Sequence, residues 1–240
     1  MKTILNPNPE IEVIPVGDID ILIVDNFLIN PDELRGYGVE SYKAYTKNID
    51  TENYYFRETR KTYEVHPLPE LFEEQFPGVI ENIAALIDKY LGPRIYEYYN
   101  LDPSRVKIQL RKGPYFHGVH QPPIFLPHVD DGHVSSFMYL NPDDICWGGT
   151  GVYRHIPTDK VAINQTGVDL EPICRTPLTK NLTVSTPEWK LEKFVEMKYN
   201  RFVAFNSSTI HKIYWPETKS PYKRPVKKSR FTLNNFFMYA

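Results

Sequence analysis

The segment Pro127-His128-Val129-Asp130-Asp131-Gly132-His133 concentrates metal-ligating residue types in seven positions. In an extended chain, residues two apart project to the same face, so His128 and Asp130 can hold one ion together. By itself an H-x-D triplet says little, because a surface His beside a turn Asp reads the same way. A second imidazole comes from the run Arg201-Phe202-Val203-Ala204-Phe205-Asn206-Ser207-Ser208-Thr209-Ile210-His211, which reads as an alternating strand, a polar turn and a His opening another strand. Two His and one carboxylate make a facial set that leaves three metal positions open. Such a set suits non-haem Fe(II), which must hold a chelating co-substrate and dioxygen together, whereas structural zinc prefers a closed four-ligand site. Further along, Ser229-Arg230-Phe231-Thr232-Leu233-Asn234 places Arg230, Thr232 and Asn234 on one strand face and Phe231 and Leu233 on the other. A polar strand face is ordinary on a sheet exposed to water. Beside two His segments, an Arg and a hydroxyl two residues apart offer what a dicarboxylate needs, a fork for bidentate pairing and a donor next to it.

These residues need a rigid frame, and the composition points to strands. The chain has 21 Pro in 240 residues, scattered, with 17 Tyr and 13 Phe. That much Pro is well above the usual ~5% and argues against a helical bundle, while aromatics favour strands. Helical signals concentrate in the first hundred residues. Asn30-Pro31-Asp32-Glu33 predicts a helix starting at Pro31, and Ile80, Ile83, Ala84, Ile87 and Leu91 predict a second one stopped by Gly92-Pro93. From Arg105 onward short strand-like runs are predicted at 106–111, 134–140, 151–155, 194–199, 202–205 and 231–239. Asn141-Pro142-Asp143-Asp144 and Gly148-Gly149 carry turn chemistry, and Asn200-Arg201 fits a hairpin turn between two alternating strands. The expected fold is α+β and mainly β: a double-sheet roll or barrel over 105–240, with 1–104 as an α/β support region packed on the core in one globular unit.

With 28 basic and 30 acidic residues the net charge is -2, which provides no overall drive toward nucleic acid or an anionic membrane. Nucleic acid is an unlikely partner on this ground but is not excluded, because seven basic residues and only Glu217 as an acid fall between Lys212 and Arg230. The most apolar stretch, 19–29, is interrupted by Asp20, Asp25 and Asn26 and is too short to span a bilayer. The N-terminus lacks the apolar run of a secretory signal, and Cys146 and Cys174 form neither a disulfide framework nor a C-x-x-C site. The expected location is the cytoplasm, and no membrane partner is expected. Oligomeric state is not legible.

The order of these parts resembles the Fe(II)- and 2-oxoglutarate-dependent oxygenases, specifically the prolyl-4-hydroxylase-like group. The family's H-x-D falls on His128 and Asp130, its distal His on His211, and its R-x-S/T clamp on Arg230 and Thr232. Gln109-Leu110-Arg111 before the metal motif, Gly148-Gly149, and Ile23-Val24-Asp25-Asn26-Phe27-Leu28 ahead of a helix match as well, so the resemblance is dense from Arg105 to Phe237 and loose before it. It implies a double-stranded β-helix (jelly roll) with supporting N-terminal helices. It also implies Fe(II) on His128, Asp130 and His211, with 2-oxoglutarate and dioxygen as co-substrates. The implied reaction is hydroxylation of a small-molecule or peptide substrate, coupled to decarboxylation of 2-oxoglutarate to succinate and CO2. Asp130 favours hydroxylation, since related halogenases replace this carboxylate with a small residue.

Tyr115 and Tyr139 are additional candidates for contact with the co-substrate, and Gln109, Arg111, Asn141 and Arg154 are weaker ones. His133 is expected to pack or hydrogen-bond behind the site, and Asp131, which strand alternation points away from His128, is the rival of Asp130. The nineteen positions from His211 to Arg230 imply an insertion over 215–228, which contains the rival clamp Arg224. Arg224-Pro225 breaks a strand ladder, and Arg230 does not. The region 158–192 reads as a loop or lid over the barrel mouth. A different reading of the same two His and Asp is a cupin-like metal-binding jelly-roll module without oxygenase activity.

Overall fold

The computed structural model describes residues 5–46, 54–58, 62–119, 127–163, 187–215 and 229–240. The chain runs β1 (Glu10–Val16), β2 (Ile19–Asp25), α1 (Pro31–Thr46), β3 (Tyr54–Glu58), β4 (Thr62–Pro67), α2 (Pro69–Gln75) and α3 (Val79–Tyr99). It continues with β5 (Ile108–Val119), β6 (Val134–Tyr139), β7 (Gly149–His155), β8 (Trp189–Glu196), β9 (Phe202–Asn206), β10 (His211–Tyr214) and β11 (Arg230–Tyr239). The fold is α+β and mainly β. One sheet has the order β1-β2-β9-β6-β11-β5-β4-β3 and the other β10-β7-β8, with antiparallel pairing throughout. Among the described residues no helix is long and apolar enough to cross a membrane.

Alternation along the strands of the large sheet separates two cores. On one face Leu22, Val24, Phe116, Phe202, Ala204, Phe231 and Leu233 pack under the helices, meeting Ile83, Ile87, Leu91 and Ile95 of α3. On the other, Ile21, Ile23, Val119, Tyr139, Val203 and Phe205 face the small sheet and meet its Val152 and Val195. β2 is therefore buried on both faces, which explains why its sequence is a nearly continuous apolar run with no readable period.

Helix α1 begins at Pro31, as its capping sequence predicts. The second predicted helix does not stop at Gly92-Pro93. α3 runs through Pro93 to Tyr99 and ends where Asn100 turns left-handed at φ 53°. Proline removes one N–H from the ladder, but the apolar stripe continues past it to Ile95, and the Tyr96 hydroxyl donates to the Asp88 carboxylate across the proline turn. Burial of the stripe outweighs the one lost bond.

Asn200-Arg201 is a corner, not a hairpin turn. β8 pairs with β7 in the small sheet and β9 with β2 and β6 in the large one. Asn200 does adopt φ 61°, the left-handed conformation expected of a turn Asn. Its side chain fastens a distant segment, accepting the Leu28 N–H at 2.9 Å and donating to the Leu28 carbonyl at 2.8 Å. Beside it the Arg201 guanidinium grips Asp25 at 2.6 and 2.9 Å and, with Lys198, holds that carboxyl below its ordinary range. Two strands differ in extent from their predicted runs: β5 continues from Ile108 to Val119, and β8 begins at Trp189, inside the region predicted as loop.

Candidate metal centre

His128 lies outside the named strands but is bridged to the first residue of β10. Its N–H donates to the His211 carbonyl and the His211 N–H to the His128 carbonyl, both at 2.9 Å. Residues paired reciprocally in an antiparallel bridge send their side chains to the same face, so the two imidazoles stand side by side, ring centroids 4.5 Å apart. Two residues on, the Asp130 N–H donates to the Ser207 carbonyl at 2.9 Å and the Ser207 N–H to the His133 carbonyl at 3.0 Å. The strand after the H-x-D motif is thus laced to the turn before His211. One ligand atom each from His128, Asp130 and His211 lies within 4.8 Å of the others. His128 Nε2 is 3.9 Å and His211 Nε2 3.3 Å from the Asp130 carboxylate.

The surroundings fix the donors. His211 Nδ1 is 2.9 Å from the Thr209 carbonyl, an acceptor only, so Nδ1 carries a proton and Nε2 is the atom turned to Asp130. A contact of 3.3 Å between this nitrogen and the carboxylate is closed either by a proton on Nε2 or by a metal ion shared by the two. Around an octahedral ion with bonds of about 2.1 Å, neighbouring donors are about 3 Å apart, close to the separations here. Ser135 donates to Asp130 Oδ2 at 2.8 Å, and Ser207 in turn donates to Ser135 at 2.9 Å. Burial raises the Asp130 carboxyl, but His211, His128 and the Ser135 hydroxyl more than offset it and bring it down to about 2. For His211, burial disfavours the imidazolium, and Asp130 outweighs it, so its pKa is raised.

Asp131 lies outside this group. It is 70% exposed and pairs with Arg111 at 2.5 Å, as its place in the alternation predicts. His133 accepts the Tyr239 N–H on Nδ1 at 2.9 Å and packs on Tyr99, behind the ligands. Arg154 is tied to Glu192 and Asp159, in a surface network away from the triad. Asn141 braces β11, donating to the Ser229 carbonyl and accepting the Phe231 N–H.

Arg230 and Thr232 lie on the face of β11 that looks toward the small sheet, with Tyr139 and His117 directly opposite Thr232 on its two neighbouring strands. Arg230 is 4% exposed, its Nε has no hydrogen-bond partner, and among the described residues it pairs with no carboxylate. Its guanidinium lies 5.3 Å from the centre of the Tyr139 ring, and the Tyr139 hydroxyl is tied to Thr150 at 2.9 Å. A buried guanidinium is expensive without an anion, so this cation suits a carboxylate partner. Tyr115 is on the same face of β5, with its hydroxyl accepting from Asn234 at 3.4 Å; burial and the nearby Glu64 and Asp130 raise its pKa. Arg224, Cys174, residues 164–186 of the predicted lid and 216–228 of the predicted insertion lie outside the described residues.

Sequence reading misses the residues that brace the triad. The Tyr99 hydroxyl, at the end of α3, donates to Asn206 and contacts Ser208, both at 2.7 Å, and so pins the turn between β9 and His211. Ser135 and Ser207 hold Asp130. Serines and a tyrosine this far apart in sequence carry no local signal, although Ser135 shares the inward face of β6 with Tyr139. The model of one family matches residues 73–237. The chain belongs to this family, described as a family of unknown function (DUF6445). The match contains the triad, Arg230 and Thr232, and leaves β1 to β4 outside. No curated protein matches the chain.

Proposed function

We propose that the chain is an Fe(II)- and 2-oxoglutarate-dependent dioxygenase, a hydroxylase of a small-molecule or peptide substrate, built on a double-stranded β-helix. The observation that carries the reading is the His128–Asp130–His211 group on the same inward surface as a buried Arg230 that has no carboxylate partner among the described residues. The strand order supports the architecture. From β5 to β11 the chain alternates between sheets: β5 large, the His128 bridge small, β6 large, β7 and β8 small, β9 large, β10 small, β11 large. Each sheet thereby receives four positions, as in two interleaved Greek keys.

In this reading His128, Asp130 and His211 hold the iron. Thr209 fixes the His211 tautomer, and Ser135 orients a carboxylate that stays ionised at working pH. From Ser135, beside Asp130, to Tyr139, beside Arg230, is four residues along β6, about 13 Å at the strand rise. Arg230 takes the distal carboxylate of 2-oxoglutarate as a bidentate partner, Thr232 donates beside it, and the Tyr139 ring supports the guanidinium plane. When bound, the iron with 2-oxoglutarate supplies an oxidant made from dioxygen, and 2-oxoglutarate leaves as succinate and CO2. The apolar wall of Val119, Val203 and Phe205 keeps the surroundings dry.

Anaerobic titration of metal-free protein with Fe(II) and then 2-oxoglutarate tests this. The expected result is a visible charge-transfer band that is lost in His128→Ala and that needs more 2-oxoglutarate in Arg230→Ala. No band with iron demonstrably bound would assign the chain to the metal-binding modules without oxygenase activity.

A further inference from the structure

On the inward face of the large sheet the polar surface does not end at β5. β4 alternates: Tyr63 and Val65 enter the core under the helices, and Glu64 and His66 turn to the face that carries Tyr115 and His117. Glu64 stands directly opposite His117 in the β4–β5 register, and the His66 ring lies on the Tyr115 ring, 4.6 Å between centroids and 15° from parallel. Phe236 continues the row, 6.1 Å from Tyr115 and 13° from parallel. β4 follows β5 in the order of the large sheet, so this row continues the inward polar surface past Tyr115 and His117. Tyr115 joins the two, because its ring meets His66 and its hydroxyl accepts from Asn234 of β11, the strand that carries Arg230 and Thr232.

Resting on the reading above, we propose that this row is the substrate subsite, and that it takes a protonated nitrogen, an amine or guanidinium, between the Glu64 carboxylate and the ring faces of Tyr115 and Phe236. The substrate class is then a cationic small molecule or a basic side chain of a peptide. Three observations carry it. Among the described residues Glu64 pairs with no Lys or Arg, and its hydrogen bond is from Oε2 to His66 Nε2 at 3.0 Å. The His66 contact, against burial, keeps the Glu64 carboxyl below its ordinary range, so it stays charged. The ring faces already accept an ammonium: Lys112 Nζ lies 5.0 Å from the Tyr115 centroid and 5.6 Å from that of Phe236.

The groups facing Glu64 are consistent with this use. Burial and Arg230 bring His117 down to about 4, so it is neutral near pH 7, and Arg57, opposite Glu64 on β3, is exposed. Lys112 and Arg57 are the competing cations among them, both on exposed side chains. β4, which supplies Glu64, is outside the residues matched by the family model, whereas Tyr115 and Phe236 are inside them.

The test uses the full chain loaded anaerobically with Fe(II) and 2-oxoglutarate, with the charge-transfer band and calorimetry as readouts. The probes are N-acetyl-lysine methylamide and agmatine as cations, N-acetyl-norleucine methylamide as the neutral isostere, and N-acetyl-glutamate methylamide as the anion. The expectation is binding of a cation that shifts the band, with the neutral and anionic probes weaker by roughly tenfold or more, the worth of one charge-assisted contact. Glu64→Gln should remove that preference without changing Fe(II) or 2-oxoglutarate affinity, and Lys112→Met should strengthen the cation severalfold. Should Glu64→Gln fail to fold, Lys112→Met decides by its sign, because loss of cation affinity there overturns the proposal. Preference for the anion, a cation that binds equally to Glu64→Gln, or no cation bound while the band is intact would also overturn it. A missing band would instead overturn the oxygenase reading, and this subsite with it.

Discussion

The two faces of the large sheet are made from the same strands and have opposite characters. On β11, Phe231, Leu233 and Phe237 go to the helix side, and Phe231 stacks on Phe116 of β5 at 5.5 Å. The residues between them, Arg230 and Thr232, turn to the small sheet, opposite His117 on β5 and Tyr139 on β6. Period-two alternation therefore lets one strand carry packing and chemistry without mixing them. Stability and function should then respond to different substitutions a single residue apart.

The most severe separation is expected at the triad. His128→Ala should abolish iron retention and succinate formation while changing the urea midpoint little, since the side chain is 44% exposed; metal analysis beside an unfolding curve checks both. Phe231→Ala, one position from the clamp, should do the reverse and cost about 3–5 kcal/mol in unfolding free energy, with iron still bound by the protein that remains folded. Arg230→Met should weaken 2-oxoglutarate by roughly a hundredfold, the worth of about 2.7 kcal/mol. It should leave stability equal or higher, because a buried unpaired charge is removed. A lower unfolding midpoint would show that Arg230 also holds the core.

Ser135→Ala should weaken iron by about tenfold, the lower end for a residue that orients a ligand, as competition with a chelator would read. The smallest effect belongs to the corner. The pKa of Asp25 is depressed in the folded chain by Arg201 and Lys198. Between that value and the unfolded one near 4, the unfolded state binds more protons, so the pair's stabilisation is present above about pH 4 and is lost as the pH falls. Asp25→Asn should flatten the acid side of a stability–pH curve and leave metal binding alone.

What the sequence disclosed follows the same division. His128 and Asp130, Arg230 and Thr232 were legible because each pair lies two apart on an extended chain, and alternation also separates Asp131 from Asp130. His211 was legible as a His after an alternating strand, but its bridge to His128 is a long-range pairing that no local pattern encodes. The strand character of β1 to β4 was not read. β2 is apolar on both faces and shows no period, and β4 is a six-residue run whose alternation became meaningful only once β5 was beside it. The passage of α3 through Pro93 had the same cause, a stripe whose burial is decided by the sheet beneath it. Glu64 and Ser135 were invisible as site residues because their neighbours there come from distant parts of the chain.

The tie between Leu28 and Asn200 spans 172 residues, and β2, just before it, finds its inner neighbour only in β9. During synthesis from the N-terminus, β2 must therefore wait for about 180 residues to follow it, on the order of ten seconds or more at ordinary elongation rates. For that time the strand has β1 beside it and α3 to cover one face, while its inner edge and its other face stay open. The nascent chain thus makes one apolar face early and covers it nearly last.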